Sequence, residues 1–286
     1  MSKAYICDIE AKPIIEIKAG RGSLANSLKE ISAYRGLLYT LALRDFKVRY
    51  AQTKLGYAWA LIQPLTALAV LYLVFQKALG SGTQDISFLA YSLSGLLFWN
   101  FFSYNFSQGS SALIQARSML QKIYFPRQIL VLSKGLVGLS DLGIALVLFL
   151  ALGYAEIQFQ LFSLLQIILA LTMTFMASQG LALWMSALSI RFRDLQQVVP
   201  FIVQMLFFLS PIAYDPKLWK TGFSEELYGL FYLNPMQGIL ELARSAFFDL
   251  ELNNDWVLMS LLYCLVLFLS GWIYFQRVER KMADLL

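Results

Sequence analysis

The chain has 286 residues, 58% of them hydrophobic and only 14% charged, with 23 Lys and Arg against 18 Asp and Glu for a formal net charge of +5. Soluble domains average roughly 45–50% apolar and about 25% charged residues, so the composition excludes a large water-soluble core and points to an all-α integral membrane protein. Histidine is absent, which removes the commonest metal ligand and general base.

Residues 1–32 are read as a cytoplasmic N-terminal tail without an assignable pattern, and residues 33–286 as one transmembrane domain. The stretch MSKAYICDIEAKPIIEIKAGRG has no uninterrupted apolar core followed by a small-residue cleavage site, so no signal peptide is expected. Cys7 lies in this tail and Cys264 in the last apolar run, which makes a disulfide implausible. In YRGLLYTLALRDFKVRY, Tyr34, Leu37, Leu38 and Leu41 share one helical face, but Arg44 and Asp45 then fall near the same stripe. An amphipathic helix lying in the headgroup region fits this, as does a solvated helix packed on a partner.

Crossing the hydrocarbon as a helix takes about 20 mostly apolar residues, and six such runs follow, near 57–79, 87–114, 129–155, 161–190, 198–214 and 256–275. Pro64 interrupts the first, and Asn100, Asn105 and Gln108 make the second less uniform. The first two runs also mix rings with uncharged hydrogen-bonding groups: Tyr57, Trp59, Gln63 and Tyr72, then Phe98, Trp99 and Asn100. Rings beside amides suit a sliding sugar chain, while helix packing explains the same residues without a ligand. The third run carries Lys134, placed to snorkel towards the cytoplasmic end, and Asp141, expected to face the bundle beside hydroxyl groups such as Ser140.

Between the second and third runs comes MLQKIYFPRQIL. On a helix from Arg117, the residues Met119, Leu120, Ile123 and Tyr124 share one flank and Arg117, Gln121 and Lys122 the other. Pro126 ends it, which predicts a cytoplasmic helix of about two turns, either seated in a groove of a soluble partner or an ordinary basic loop. RFRDLQQVVP, with Arg191, Arg193 and Asp194, is a second contact of the same kind or a charged turn. From about Pro211 to Asp255 the sequence is neither a full span nor a polar loop. Asn234 can cap and Pro235 can open an apolar helix running to about Phe248, as one arm of a re-entrant or interfacial hairpin that also contains Trp219.

Six spans put both termini on one side. That side has ten Lys and Arg before the first run, then Arg117, Lys122, Arg127, Arg191, Arg193, Arg277, Arg280 and Lys281, while the other side is acidic. The bias places both termini in the cytoplasm, and no folded basic face exists to serve as a nucleic-acid footprint. GxxxxGK[ST], HExxH, CxxC and GxSxG are all absent, so the chain does not bind ATP through a phosphate loop and offers none of these hydrolytic centres. One buried carboxylate without histidine is thin equipment for a proton-coupled carrier.

The order of these pieces resembles the ABC-2 type permeases, in particular those exporting O-antigen and related cell-surface polysaccharides. The resemblance rests on LRDFKVRYAQTKLGYAWALIQPL, LQKIYFPRQIL, RFRDLQQVVP and SPIAY…YLNPMQGILELAR, and runs from about Tyr34 to the C-terminus. It implies a homodimer in the bacterial cytoplasmic (inner) membrane, driven by two copies of a separate ATPase subunit, with no cofactor on this chain and ATP and Mg on the partner. It further implies a coupling element at Arg117, Leu120, Lys122, Ile123, Tyr124, Phe125 and Arg127, seconded by Arg191, Arg193 and Asp194. Tyr57, Trp59, Gln63, Tyr72, Gln204, Phe207 and Phe208, with Phe98 and Trp99 behind them, would line the path. Pro211, Trp219, Asn234 and Pro235 would build an external gate. The cargo implied is a lipid-linked polysaccharide: O-antigen, teichoic acid or capsule. Two rivals are an ATPase-independent polyprenyl-sugar flippase and a membrane scaffold.

Overall fold

Every regular element in the computed structural model is helical among the residues it describes, which are 24–50, 56–78, 86–153, 155, 157, 158, 160–214 and 233–279. Two helices lead in, α1 (Leu24–Ala33) and α2 (Arg35–Tyr50). A 3-10 turn at Gly56–Ala58 opens α3 (Trp59–Leu71), which carries Pro64 inside it and loosens into a π-helical stretch at Tyr72–Ala78. Then come α4 (Phe88–Gln115), α5 (Arg117–Leu120), α6 (Gln128–Gly153), α7 (Ser163–Arg191), α8 (Leu195–Leu209), α9 (Pro235–Phe248) and α10 (Asn254–Glu279). A helix therefore lies on each of the six apolar runs. Three of them, α6, α7 and α10, are long and apolar enough to cross a membrane, and α3 with its extension and α8 are apolar but shorter.

Helix α4 is the hub. It packs between α6 and α7 and also meets α3, α8 and α9, while α7 carries α10 on its other side and α2 lies along α6. Ser87 caps α4 by accepting from the Ala90 N–H at 3.3 Å, which satisfies one of the donors that a helix start leaves open. Its Phe98, Phe101, Phe102 and Phe106 are fully buried and meet Phe149 of α6 and Phe247 of α9 in one core. Where α7 crosses α10 the backbones touch: a Cβ on Gly180 would sit 2.6 Å from the Leu267 carbonyl, and one on Gly271 would strike the backbone of Gly180. Lipid gives helices no hydrophobic reason to associate, so close backbone approach at small residues supplies the contact through dispersion.

Four expectations change. The loop helix at Arg117 is one turn, not two; it ends at Leu120, and residues Ile123 to Pro126 have no regular structure. Pro126 disfavours helix at Phe125, and Phe125 turns inward, where it is 3% exposed. The tail read as patternless contains α1. The stripe expected at α2 does turn inward, with Leu41 buried and Tyr34, Leu37 and Leu38 packed on the core, but it is covered by this chain's own bundle, with α2 along α6; charge, described below, continues the contact. Helix α9 is no surface element: eleven of its 14 residues are buried, against α7, α10 and α4. The arm before it, with Trp219, lies outside the described residues.

Candidate functional site

One end of the bundle gathers the loops expected to meet a partner. Arg117 after α4 and Arg193 before α8 border one recess of about 230 Å³ with Leu113, Ser189 and Gln196, so two connections far apart in sequence meet. Residues Leu120 to Phe125 and Arg127 surround an adjoining recess of about 240 Å³. Lys122 is exposed; Ile123 is 50% and Tyr124 60% exposed. The loop is nevertheless anchored. Phe125 is buried, and the Arg127 N–H donates to the Glu279 carboxylate at 2.8 Å. Gln276, one turn back on α10, donates to the Ser27 hydroxyl at 2.6 Å. The loop, the last helix and α1 are thus tied in series, a connection that no local sequence pattern announced. Arg191 lies over the Phe192 ring at 5.3 Å from its centroid, and Asp194 is exposed just ahead of α8.

Deeper in the chain, a cavity of about 280 Å³ opens between α2, α3, α4, α6 and α8. Asn100, Ser103, Tyr104 and Ser107 face it from α4, Gln63 and Pro64 from α3, and Val203 from α8; Arg49 and Asp141 complete it with a charged pair. Arg49 donates to Asp141 in an ion pair, and its guanidinium lies over the Tyr104 ring, 4.7 Å from the centroid. Here the sequence reading is corrected: Asp141 is not left to a neighbouring hydroxyl, since the Ser140 hydroxyl donates to the Val137 carbonyl at 2.6 Å. Nor does Lys134 snorkel to water. It donates to Asp45 at 2.7 Å, with both side chains mostly buried.

The two pairs form a ladder with opposed rungs. On α2 the acid comes first and the base four residues later; on α6 the base comes first and the acid seven residues later. Those spacings are about 6 and 10.5 Å of helix, a mismatch that the long Lys134 and Arg49 side chains span. Sliding α2 by one turn in one direction would set Arg49 against Lys134, and in the other Asp45 against Asp141. Like charges therefore oppose both slips, and the ladder fixes the register in which α2 enters α3, a use of buried ionic groups that is well attested. Burial pushes the Asp45 carboxyl up, but the hydrogen bonds and charges of Lys134 and Arg44 outweigh it and hold it below its ordinary 3.8.

The expected path residues divide. On α3, Trp59 is 44% exposed and Gln63 is exposed, while Tyr72 turns inward, edge-on to Phe88 at 6.1 Å; the side chain of Tyr57 lies outside those described. On α8 only Val199 is buried; Gln204 is exposed and Phe208 is 59% exposed. Phe98 and Trp99 pack inside the bundle, 0% and 4% exposed. Rings nonetheless run from surface to core: Phe208 on Phe207 at 5.5 Å, Phe207 on Trp99 at 5.5 Å, Trp99 on Phe102 at 5.4 Å and Phe102 on Phe106 at 6.1 Å.

The opposite end closes around Arg244, a residue that the sequence did not single out. Its guanidinium donates to the Tyr91 hydroxyl at 2.7 Å and to the carbonyls of Pro211 and Ile212 at 2.7 and 2.8 Å, and lies 3.5 Å from the Tyr91 ring centroid. Pro211, expected at a gate, is buried there. Asn234 caps α9 by accepting from the Met236 N–H at 3.0 Å, as its sequence position predicts, and also donates to the Leu209 carbonyl and the Ser210 hydroxyl at 3.1 and 3.0 Å. Pro235 fills the first turn. Asn234 and Arg244 together fasten α9 to the end of α8. The signal available in sequence was a lone arginine in the apolar run GILELARSAFF, since a buried guanidinium must find partners.

Known proteins resemble this chain over most of its length. The chain is 29% identical over 236 residues to an O-antigen export system permease protein of Myxococcus xanthus, covering 82% of this chain and 88% of that one. It is 24% identical over 255 residues to an O-antigen export system permease protein of Klebsiella pneumoniae, covering 87% and 95%. It is 26% identical over 208 residues to a polysialic acid transport protein of Escherichia coli, covering 72% and 79%. The sequence pattern of the ABC-2 type transporter membrane family matches residues 36–248, the span from α2 through α9 that holds the ladder, the cavity and the contacts of Arg244, and the chain belongs to that family.

Proposed function

We propose that this chain is the permease subunit of an ATP-driven exporter that moves a lipid-linked polysaccharide across the bacterial cytoplasmic membrane. The observation that carries the reading is the family match over residues 36–248, joined by relatives named for O-antigen export and polysialic acid transport. All six long apolar segments cross the membrane in this reading, with both termini in the cytoplasm, as the distribution of Lys and Arg favours. O-antigen is the cargo most of the relatives' names support.

Two copies of the chain build one path between them, faced by the open sides of α3 and α8. Their exposed Trp59, Gln63, Gln204 and Phe208 offer apolar ring faces beside amides, a surface along which a glycan can slide. Two ATPase subunits dock at the loop end. There Ile123 and Tyr124 project while Phe125 and the Arg127 backbone hold the loop to the bundle, so force applied at the exposed pair reaches α10 through Glu279. Arg117, Arg191 and Arg193 supply a basic rim, and Asp194 stands at the start of α8. ATP and Mg belong to the ATPase, and α9 with the end of α8 forms the exit gate.

The test is retention of an ATPase subunit by tagged chain purified from its native membrane. Wild type is expected to hold it in equal amount, and Ile123→Asp with Tyr124→Ala, both at exposed positions, to lose it without changing the yield of folded permease. A wild type that carries no ATPase, with the variant transporting normally, would leave an autonomous flippase in its place.

A further inference from the structure

We propose that the cavity beside Arg49 is a binding site for a phosphate group, in which Asp141 is the internal anion that occupies Arg49 when the site is empty. This deepens the reading above and rests on it for the source of the ligand, the phosphate ester joining the lipid to its glycan.

The cavity's size is the first consideration. At about 280 Å³ it lies at the lower end of small-ligand sites, too small for a polymer and adequate for a headgroup. Its chemistry is the second. Asn100, Ser103 and Ser107 line it with neutral polar groups, the Ser103 hydroxyl donating to the Asn100 carbonyl at 3.2 Å, and Arg49 supplies a guanidinium whose planar fork matches phosphate oxygens. Stacking over the Tyr104 ring holds that fork in place before any ligand arrives. The third is access: the Arg49 side chain is 32% exposed and that of Asp141 21%, so an incoming anion can reach the cation without dismantling the core.

Charge selects the ligand class. Along α2 and the facing part of α6, Arg44, Lys47, Arg49 and Lys134 stand against Asp45 and Asp141, an excess of positive charge that attracts anions, although only Arg49 and Asp141 of these six line the cavity. Asp45 is bound to Lys134, so Asp141 is the carboxylate that a phosphate would displace from Arg49. A neutral sugar gains nothing from breaking that pair. A diphosphate group carries more negative charge than a carboxylate and offers more oxygens to the guanidinium fork, so it can replace it. The displacement removes one rung of the ladder and leaves Asp45 with Lys134 as the remaining ionic tie between α2 and α6. Occupancy would then loosen the helix that feeds α3, so that the path responds to the arrival of cargo.

The test uses the full-length chain in nanodiscs of neutral phosphatidylcholine, with a polyprenyl diphosphate, the uncharged polyprenol and inorganic pyrophosphate as probes, and binding read by native mass spectrometry. The diphosphate lipid should bind and the polyprenol should not. Arg49→Gln should weaken binding at least about tenfold, the scale of a lost charge-assisted hydrogen bond. Asp141→Asn should tighten it several-fold by removing the internal competitor. That opposite sign separates a ligand site from a structural pair, in which both substitutions would lower binding alike. Melting curves of the empty variants, with Arg49→Lys as a charge-retaining control, show whether the fold survives. Equal competition by inorganic pyrophosphate would support a site for free phosphate, and its failure to compete would support the lipid headgroup. Unchanged binding in Arg49→Gln, or parallel losses in both variants with intact melting, overturns the proposal. The readout needs neither ATP nor a partner, so a failure of the exporter reading would appear in the ATPase retention experiment and not here.

Discussion

Arginine fastens both ends of this bundle, by different means. Between α2 and α6, Arg49 and Lys134 reach carboxylates on the facing helix, so what matters is charge and its order along two rods. At the far end, Arg244 closes on two carbonyls and a tyrosine, so what matters is the shape of the fork and the ring beneath it. The first arrangement can exchange one anion for another and suits a contact that opens. The second satisfies backbone groups that have no other source of donors and suits a contact that holds.

The largest expected effect lies at the fixed end. Arg244→Ala should lower the unfolding free energy in detergent by about 3 kcal/mol, since charged hydrogen bonds are lost and buried carbonyls stranded. Arg244→Lys should recover less than half, because an ammonium cannot fork between two carbonyls and lie over a ring. Full rescue by lysine would erase the distinction between the two ends. At the other end, Lys134→Met should cost about 2 kcal/mol by leaving Asp45 with less compensation. Adding Asp45→Leu should restore most of it, and a double-mutant cycle should read a coupling of roughly 1–2 kcal/mol. Arg49→Lys, which keeps the charge on a partly exposed side chain, should cost about 1 kcal/mol or less.

The smallest effect is one of pH. Because the folded-state value of Asp45 is depressed below 3.8, its contribution is complete above about pH 4 and is lost as pH falls through the lowered value. Cross-linking between cysteines placed at exposed positions of α2 and α6 should therefore be constant from about pH 5 to 8 and decline only in stronger acid. A decline already at pH 6 would show that another group holds the two helices in register.

How much of this was legible beforehand follows from which forces act locally. The apolar helices could be located because a helix in an apolar medium must satisfy its own backbone, which writes a long run into the sequence. Asn234 and Pro235 were legible for a similar reason, since capping is decided within four residues. The loop at Ile123 was legible as a place but not as a shape: Pro126 marked its end, while the inward turn of Phe125 depends on a core built by other helices. The ladder was illegible as a contact because Asp45 and Lys134 stand 89 residues apart. Its traces were in plain view nonetheless. The acidic interruption of the α2 stripe and the two ionisable residues of α6 are complementary in sign and order, and each oddity accounts for the other. Arg244 could be noticed as an arginine in the apolar run GILELARSAFF, but its carbonyl partners lie 33 and 32 residues away in sequence, so the contact itself was illegible.

The central claim is that this chain moves a glycan only when driven from its loop end. The most direct measurement is ATP-dependent movement of a lipid-linked polysaccharide in sealed vesicles containing the chain with its ATPase, the chain alone, and the Ile123→Asp, Tyr124→Ala variant with the ATPase. The account predicts transport in the first case only, stopping when ATP is withheld. Transport by the chain alone, without nucleotide, would contradict it.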